Sequence, residues 1–161
     1  MEIYDNGNVR RQDRLLDEDR ALGLLSTGEY GILSMCIGNE GYGIPLNYVW
    51  DQKNLIYIHC APKGQKLDCI RENNRVSFCV VGRTQVIPEK FTTAYESIVM
   101  RCVAHIALSP EERMYALELL IAKYSPNVME IGRKYAEKSF HRTEIIRLEI
   151  VSMTGKCKEI M

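Results

Sequence analysis

The chain has 161 residues, with 21 Lys plus Arg balanced by 21 Asp plus Glu, and 46% of it is hydrophobic. That length suits one domain, expected over 1–161, able to bury roughly 70% of its unfolded surface around a single core. Zero net charge speaks against nucleic acid, a membrane surface or an acidic partner, so any electrostatics that matter are local.

In chain order, the N-terminal MEIYDNGNVRRQDR has no apolar segment that would act as a signal or a membrane span, and 1–14 reads as a flexible or partner-dependent arm. DEDRALGLLST, acidic at its start and followed by Gly28, predicts a short helix over 17–27. YGILSMCI (30–37), YGIPLNYVW (42–50) and LIYIHC (55–60) read as strands, joined by polar connections of hairpin length. A helix is expected over 63–72, a fourth strand over 75–82, a loop through TQVIPEKFTTA and a fifth strand over 95–108. Ser109-Pro110-Glu111-Glu112 supplies an N-cap, a proline at the first helical position and a capping-box glutamate, so a helix runs to about Tyr124. Ser125-Pro126 breaks it, a second helical segment follows through Lys138, and TEIIRLEIVS (143–152) closes the chain with strict alternation. Six antiparallel strands with few helices predict an α+β fold built on a small six-stranded barrel with peripheral helices.

The segment richest in chemistry is LIYIHCAPKGQKLDCIREN (55–73). A strand ending in His59 and Cys60 turns through Pro62 and Gly64 into a helix whose start carries Lys63 and Lys66. Free N–H groups and the macrodipole favour an anion at a helix start, where cations are otherwise unfavourable, so the two lysines point to a phosphate or carboxylate ligand. His59 reads either as a core histidine satisfied by a carbonyl or as a ligand contact. Arg101, on one strand face with Ser97 and His105, reads either as a rim arginine paired to a carboxylate or as a second phosphate contact. Gly43, Pro45 and Asn47 share a face with little bulk, as at an edge, a bulge or a close backbone approach. GNEGYG (38–43) joins two strands and opens no helix, so it reads as a hairpin turn rather than a phosphate loop. The three histidines are too scattered for metal-ligand spacing, and no metal site is expected. The six cysteines form no Cys-x-x-Cys pair and read as reduced residues of a cytoplasmic protein.

GYGIPLNYVWDQKNLIYIHCAPKGQKLDCIRENNRVSFCVVG, then SIVMRCVAHI, then MTGK, resembles the flavin-binding split-barrel proteins related to pyridoxamine 5′-phosphate oxidase, and among them the nitroimidazole-resistance branch. The resemblance spans about 10–158. It implies a homodimer with flavin mononucleotide (FMN) at the interface, FAD being the alternative. Pro45, Leu46 and Asn47 would lie along the isoalloxazine ring, and His59, Cys60 and Ala61 would flank it. Gly64, Gln65 and Lys66 would hold the phosphate, with Lys63 beside them and Arg101 adding to it. The implied activity is flavin-dependent reduction of a small nitro compound, with NAD(P)H as a donor and His59 as a proton donor. The alternative is a flavin or haem-binding module that stores or senses its ligand without turnover. Two residues depart from the family pattern: Cys102 stands where a glycine is common and Phe140 where a tryptophan is common.

Overall fold

The computed structural model describes residues 3–159. Its helices are α1 (Glu18–Thr27), α2 (Gln65–Glu72), α3 (Pro110–Tyr124) and α4 (Met129–Ser139). Its strands are β1 (Tyr30–Ile37), β2 (Glu40–Asn47), β3 (Val49–Trp50), β4 (Leu55–Cys60), β5 (Arg75–Ile87), β6 (Thr92–His105) and β7 (Glu144–Lys158). All pair antiparallel in one sheet of order β2-β1-β5-β6-β7-β4-β3. The sheet is not closed by a hydrogen-bond ladder. Its two edge strands, however, are consecutive in the chain, with Tyr48 alone between them, so the backbone itself joins the edges.

This corrects the expected count of six strands. The segment 42–50 is two strands, because the exposed–intermediate alternation of 41–47 breaks into three successive buried residues at Tyr48, Val49 and Trp50. The loop expected over 84–94 is the outer part of a long hairpin: β5 runs to Ile87, Pro88–Lys90 turns, and β6 resumes at Thr92. Pro88 and the run of threonines look loop-like, but β-branched residues extend a strand readily once a partner lies opposite. The last strand likewise continues past 152 to Lys158, held by pairing with β6 through Tyr95–Lys158.

Even-numbered residues of β6, Ile98 to Ala104, point into the barrel with Phe78, Val80, Ile56, Ile58, Leu148 and Met153, while α1 and α2 plug it with Leu24, Leu25, Leu67 and Ile70. A second, smaller core lies outside the sheet, where α3 and α4 cover β3, β4 and the start of β7 through Ala116, Leu117, Leu120 and Ala136 against Val49, Tyr57 and Ile145. Among the described residues, the outer face of β2, β1, β5 and β6 has no such cover and exposes Tyr30, Ile32, Val81 and Val99. Among the described part of the N-terminal arm, Tyr4 bridges Met153, and its hydroxyl donates to the Leu16 carbonyl, so the segment lies along β7.

Local signals explain the boundaries. Asp17 caps α1 by accepting from the Arg20 N–H, and Ser109 caps α3 by accepting from the Glu112 N–H at 3.2 Å. The capping box at α3 is only half formed, since the Glu112 carboxylate turns instead to Arg147 at 2.8 Å and to the Tyr57 hydroxyl at 3.1 Å. Gly28 ends α1 for a reason other than left-handed backbone: its φ is −56°, and a Cβ there would meet the Tyr48 hydroxyl at 2.6 Å and Val80 at 2.7 Å.

Candidate functional site

Alternation along β4 sends Ile56 and Ile58 into the barrel and Leu55, Tyr57 and His59 outward. Leu55 and Tyr57 lie under the cover of α3 and α4, whereas His59, one step further, emerges at its margin and is exposed at its edge. It still sits low enough for desolvation to lower its imidazole pKa. Cys60 turns inward against the barrel core, where burial raises its thiol pKa and the charge of Lys66 acts the other way. Ala61, Lys63, Gly64 and Gln65 form an exposed turn, and Lys66 is half-buried.

The turn depends on Gly64, whose φ of 148° is rarely open to residues with a Cβ. Its carbonyl accepts from Leu67 and Asp68, leaving the Gln65 and Lys66 N–H groups without an intrahelical partner. Asp68, the acid of this first turn, is engaged by Arg71 at 2.8 Å. Lys63 and Lys66 make no ion pair among the described residues. The turn thus combines a glycine in the left-handed region, two N–H groups without an intrahelical partner and two lysines without an ion pair among the described residues.

His59 and Asn47, twelve positions apart in the chain, line one cleft of about 630 Å³ between the sheet and the α3–α4 pair. Its walls are apolar, with Leu117, Ile121, Val128 and Ile131 from the helices, and Tyr135 at its margin. Pro45 and Asn47 face outward on β2 while Leu46 turns inward and packs against the barrel core. Asn47 is oriented by a bond from its Nδ2 to the Glu29 carbonyl at 2.8 Å.

Behind Asn47, the junction residue Tyr48 is fully buried and its backbone is served by α3 in place of a strand partner. Its N–H donates to the Tyr124 hydroxyl at 3.0 Å, and that hydroxyl lies 2.7 Å from the carbonyl oxygens of both Glu29 and Tyr48. Lys123 Nζ donates to the Gly28 carbonyl at 2.7 Å and the Tyr48 carbonyl at 2.9 Å, and stands 3.9 Å from the centre of the Tyr48 ring. Burial pulls the Lys123 ammonium down to about 8.

Arg101 lies elsewhere. It points outward from β6 in a row that runs Gly43, Ser34, Ser77, Arg101, Ser152 across five strands. That row meets β2 at Gly43, four residues and about 13 Å along the strand from Asn47. Arg101 is exposed on the bare sheet face, has no carboxylate partner among the described residues, and does not line the cleft. The rim-pairing alternative thus finds no support, and the residues opposite Arg101 on the two neighbouring strands are serines, Ser77 and Ser152.

The sequence reading missed the helical wall of the cleft. Ile131 and Tyr135 stand one turn apart on α4, exposed beside buried Ala136, and an apolar i,i+4 pair was the available signal. Of the two departures from the family pattern, Cys102 is buried in the barrel core with its thiol pushed up to about 12, and Phe140 lies beneath the Arg113 guanidinium at 4.1 Å rather than in the cleft wall. Among the described residues no three His, Cys, Asp or Glu side chains converge on a point, and no helix is long and apolar enough to cross a membrane.

Residues 17–157 match the family model described as pyridoxamine 5′-phosphate oxidase. No curated protein matches the chain. Solved structures share its fold. A candidate 5-nitroimidazole antibiotic resistance protein from Bacteroides thetaiotaomicron is 17% identical with a TM-score of 0.70, over 91% of this chain and 90% of that one. An FAD-binding protein from Mesorhizobium loti is 19% identical with a TM-score of 0.66, over 91% and 98%. An FAD and heme binding protein from Mycobacterium smegmatis is 15% identical with a TM-score of 0.75, over 92% and 75%. With the family model covering most of its length, on a split sheet with a cationic turn after β4, the chain belongs to the pyridoxamine 5′-phosphate oxidase family.

Proposed function

We propose that the protein binds a flavin nucleotide and uses it to reduce a small organic acceptor, nitro compounds being the leading class. The observation that carries the reading is the turn between β4 and α2, where Gly64, the open Gln65 and Lys66 N–H groups and unpaired Lys63 and Lys66 would cradle a phosphate a few residues from exposed His59. A bulkier residue than glycine at 64 would be strained in the backbone conformation that opens this cradle. FMN and FAD both present a phosphate to such a turn, and family membership supports FMN while the FAD-binding structural neighbours support FAD.

A bound flavin would accept a hydride from a nicotinamide donor and pass electrons to the acceptor. The chain's own residues would do the rest. Pro45 and Asn47 offer a flat, low-bulk strand edge for a planar ring, with Leu46 anchoring that strand from the core side. Ala61 and Gln65 leave the turn open, and Cys60 braces its base. His59 lies where it would give a proton to the acceptor, and the burial that lowers its imidazole pKa makes its protonated form a stronger acid. Arg101 sits on a separate surface and would reach a phosphate only from a second copy or through a longer nucleotide.

A second copy of the chain is the partner that best suits the bare face of β2, β1, β5 and β6, where Tyr30 is 56% and Val81 53% exposed. Such a homodimer would cover an apolar sheet surface that one copy leaves in water. The reading without turnover, a flavin or haem-binding module, draws support from the FAD and heme binding neighbour. Purification with an absorbance spectrum and mass spectrometry of the released cofactor tests binding, and anaerobic NADH or NADPH bleaching followed by reoxidation with a nitroimidazole tests turnover. A colourless protein that does not take up FMN or FAD refutes the proposal, and bound flavin that no donor reduces leaves only the binding module.

A further inference from the structure

We infer that the α3–α4 cleft is an acceptor subsite for a neutral, flat aromatic molecule of one or two rings, and that it excludes phosphorylated substrates. The inference rests on the flavin-dependent reading for its chemistry, but the cleft's selectivity follows from its own lining. Its volume of about 630 Å³ is in the range of small-molecule sites, which are mostly apolar with a few polar groups at fixed positions. Leu117, Ile121, Val128 and Ile131 make the apolar wall, while Asn47 and His59 supply hydrogen-bonding groups at the end nearest the cationic turn.

Charge decides the class of occupant. Among the described residues no lysine or arginine lines the cleft, and the one formal charge in its lining is the carboxylate of Glu29. An anion there would lose its hydration with no cation to replace it, and would meet a like charge. Lys63 and Lys66, which make no ion pair among the described residues, lie instead at the β4–α2 turn, outside the cleft, so phosphate and ring are recognised in different places. A substrate carrying its own phosphate would bring that group into the apolar cleft or compete for the turn. A neutral quinone or nitroaromatic would not.

Gly132 of α4 and Ile121 of α3 both line the cleft and pack closely against each other. A Cβ on Gly132 would meet Ile121 at 2.7 Å, so α4 crosses tightly against α3 at that point and leaves Ile131 and Tyr135 standing at the rim. These two side chains are 68% and 65% exposed. Substituting them changes the cleft's charge with little cost to the core, which makes them clean probes.

The test uses the flavin-loaded protein and two probes, menadione as the neutral ring and pyridoxal 5′-phosphate as the phosphorylated one, with dissociation constants from equilibrium dialysis in both flavin-loaded and flavin-free protein. Menadione is expected to bind at least tenfold more tightly than pyridoxal 5′-phosphate, and Ile131→Glu and Tyr135→Glu are each expected to weaken menadione at least tenfold, with flavin content and Tm unchanged. Tyr135→Phe is expected to retain wild-type affinity. Equal affinity for the two probes, or glutamate variants that bind menadione as the wild type does, overturns the inference while leaving flavin binding intact. Light scattering on Ile131→Glu reports the other occupant: a dimer that falls to monomer means that a second copy covers the cleft, which also overturns it. Failure to bind flavin at all condemns the flavin-dependent reading instead, and menadione binding to the flavin-free protein then still decides the selectivity of the cleft.

Discussion

Replacing Tyr48 with phenylalanine deletes one hydroxyl from the junction where the two sheet edges meet in the chain. The ring remains, with its edge-on contact to Phe78 at 5.1 Å and 77° and with Lys123 above it. What is lost is the 2.7 Å bond to the Leu25 carbonyl near the end of α1, in a wholly buried setting. Leaving that acceptor short of a partner costs about 1–2 kcal/mol, and for a domain of this length each kcal/mol lowers Tm by about 2–4 °C. Tyr48→Leu additionally removes the aromatic contact and the face that Lys123 sits on, and should cost about 3–5 kcal/mol, as large-to-small core changes do. Urea unfolding of the wild type and both variants, with flavin content measured in parallel, gives the comparison. The junction carries Asn47 on one side, so Tyr48→Leu should lose flavin or acceptor affinity along with stability, whereas Tyr48→Phe should lose stability alone. A Tyr48→Phe protein within about 0.5 kcal/mol of wild type would mean that the hydroxyl has another route to satisfaction and that the junction is not held as described.

Lys66→Ala is expected to weaken flavin binding roughly ten- to a hundredfold, the worth of one charge-assisted contact, and Lys63→Ala much less; fluorescence titration decides it, and equal losses would return the turn to a diffuse basic patch. His59→Gln should keep full flavin occupancy and slow reoxidation by a nitro compound about a hundredfold or more, while an unchanged rate per bound flavin would remove the proton-donor role. Lys123 holds its proton less tightly folded, at about 8, than unfolded, at 10.5, so its charged form penalises folding below both values. Stability should therefore rise between pH 8 and 9.5 in the wild type by more than in Lys123→Met, and parallel profiles would show that the two carbonyls and the Tyr48 ring offset the desolvation. Val81→Glu, on the bare sheet face, should convert a dimer into monomers by light scattering, and a dimer that persists would move the interface elsewhere.

Elements defined by their own residues were legible in the sequence. The start of α3 follows from Ser109 and Pro110, which act within one turn, and the inward and outward faces of β4 and β6 follow from alternation, which needs only the pleat. The cationic turn was legible for the same reason, since Gly64 and the two lysines act through the backbone beside them. Other features depend on residues far away in the chain. Tyr48 splits a strand because Tyr124 and Lys123, some 75 positions later, take over its backbone hydrogen bonds. Glu112 left its capping box because Arg147 and Tyr57 came within reach, a competition that no local pattern states. The outer half of the β5–β6 hairpin formed because a partner strand lay opposite, and β propensity is settled by pairing more than by composition. The cleft itself belongs wholly to tertiary structure: His59 and Asn47 line one cavity only once the sheet has curled and α3 and α4 have packed outside it, leaving Arg101 on another face.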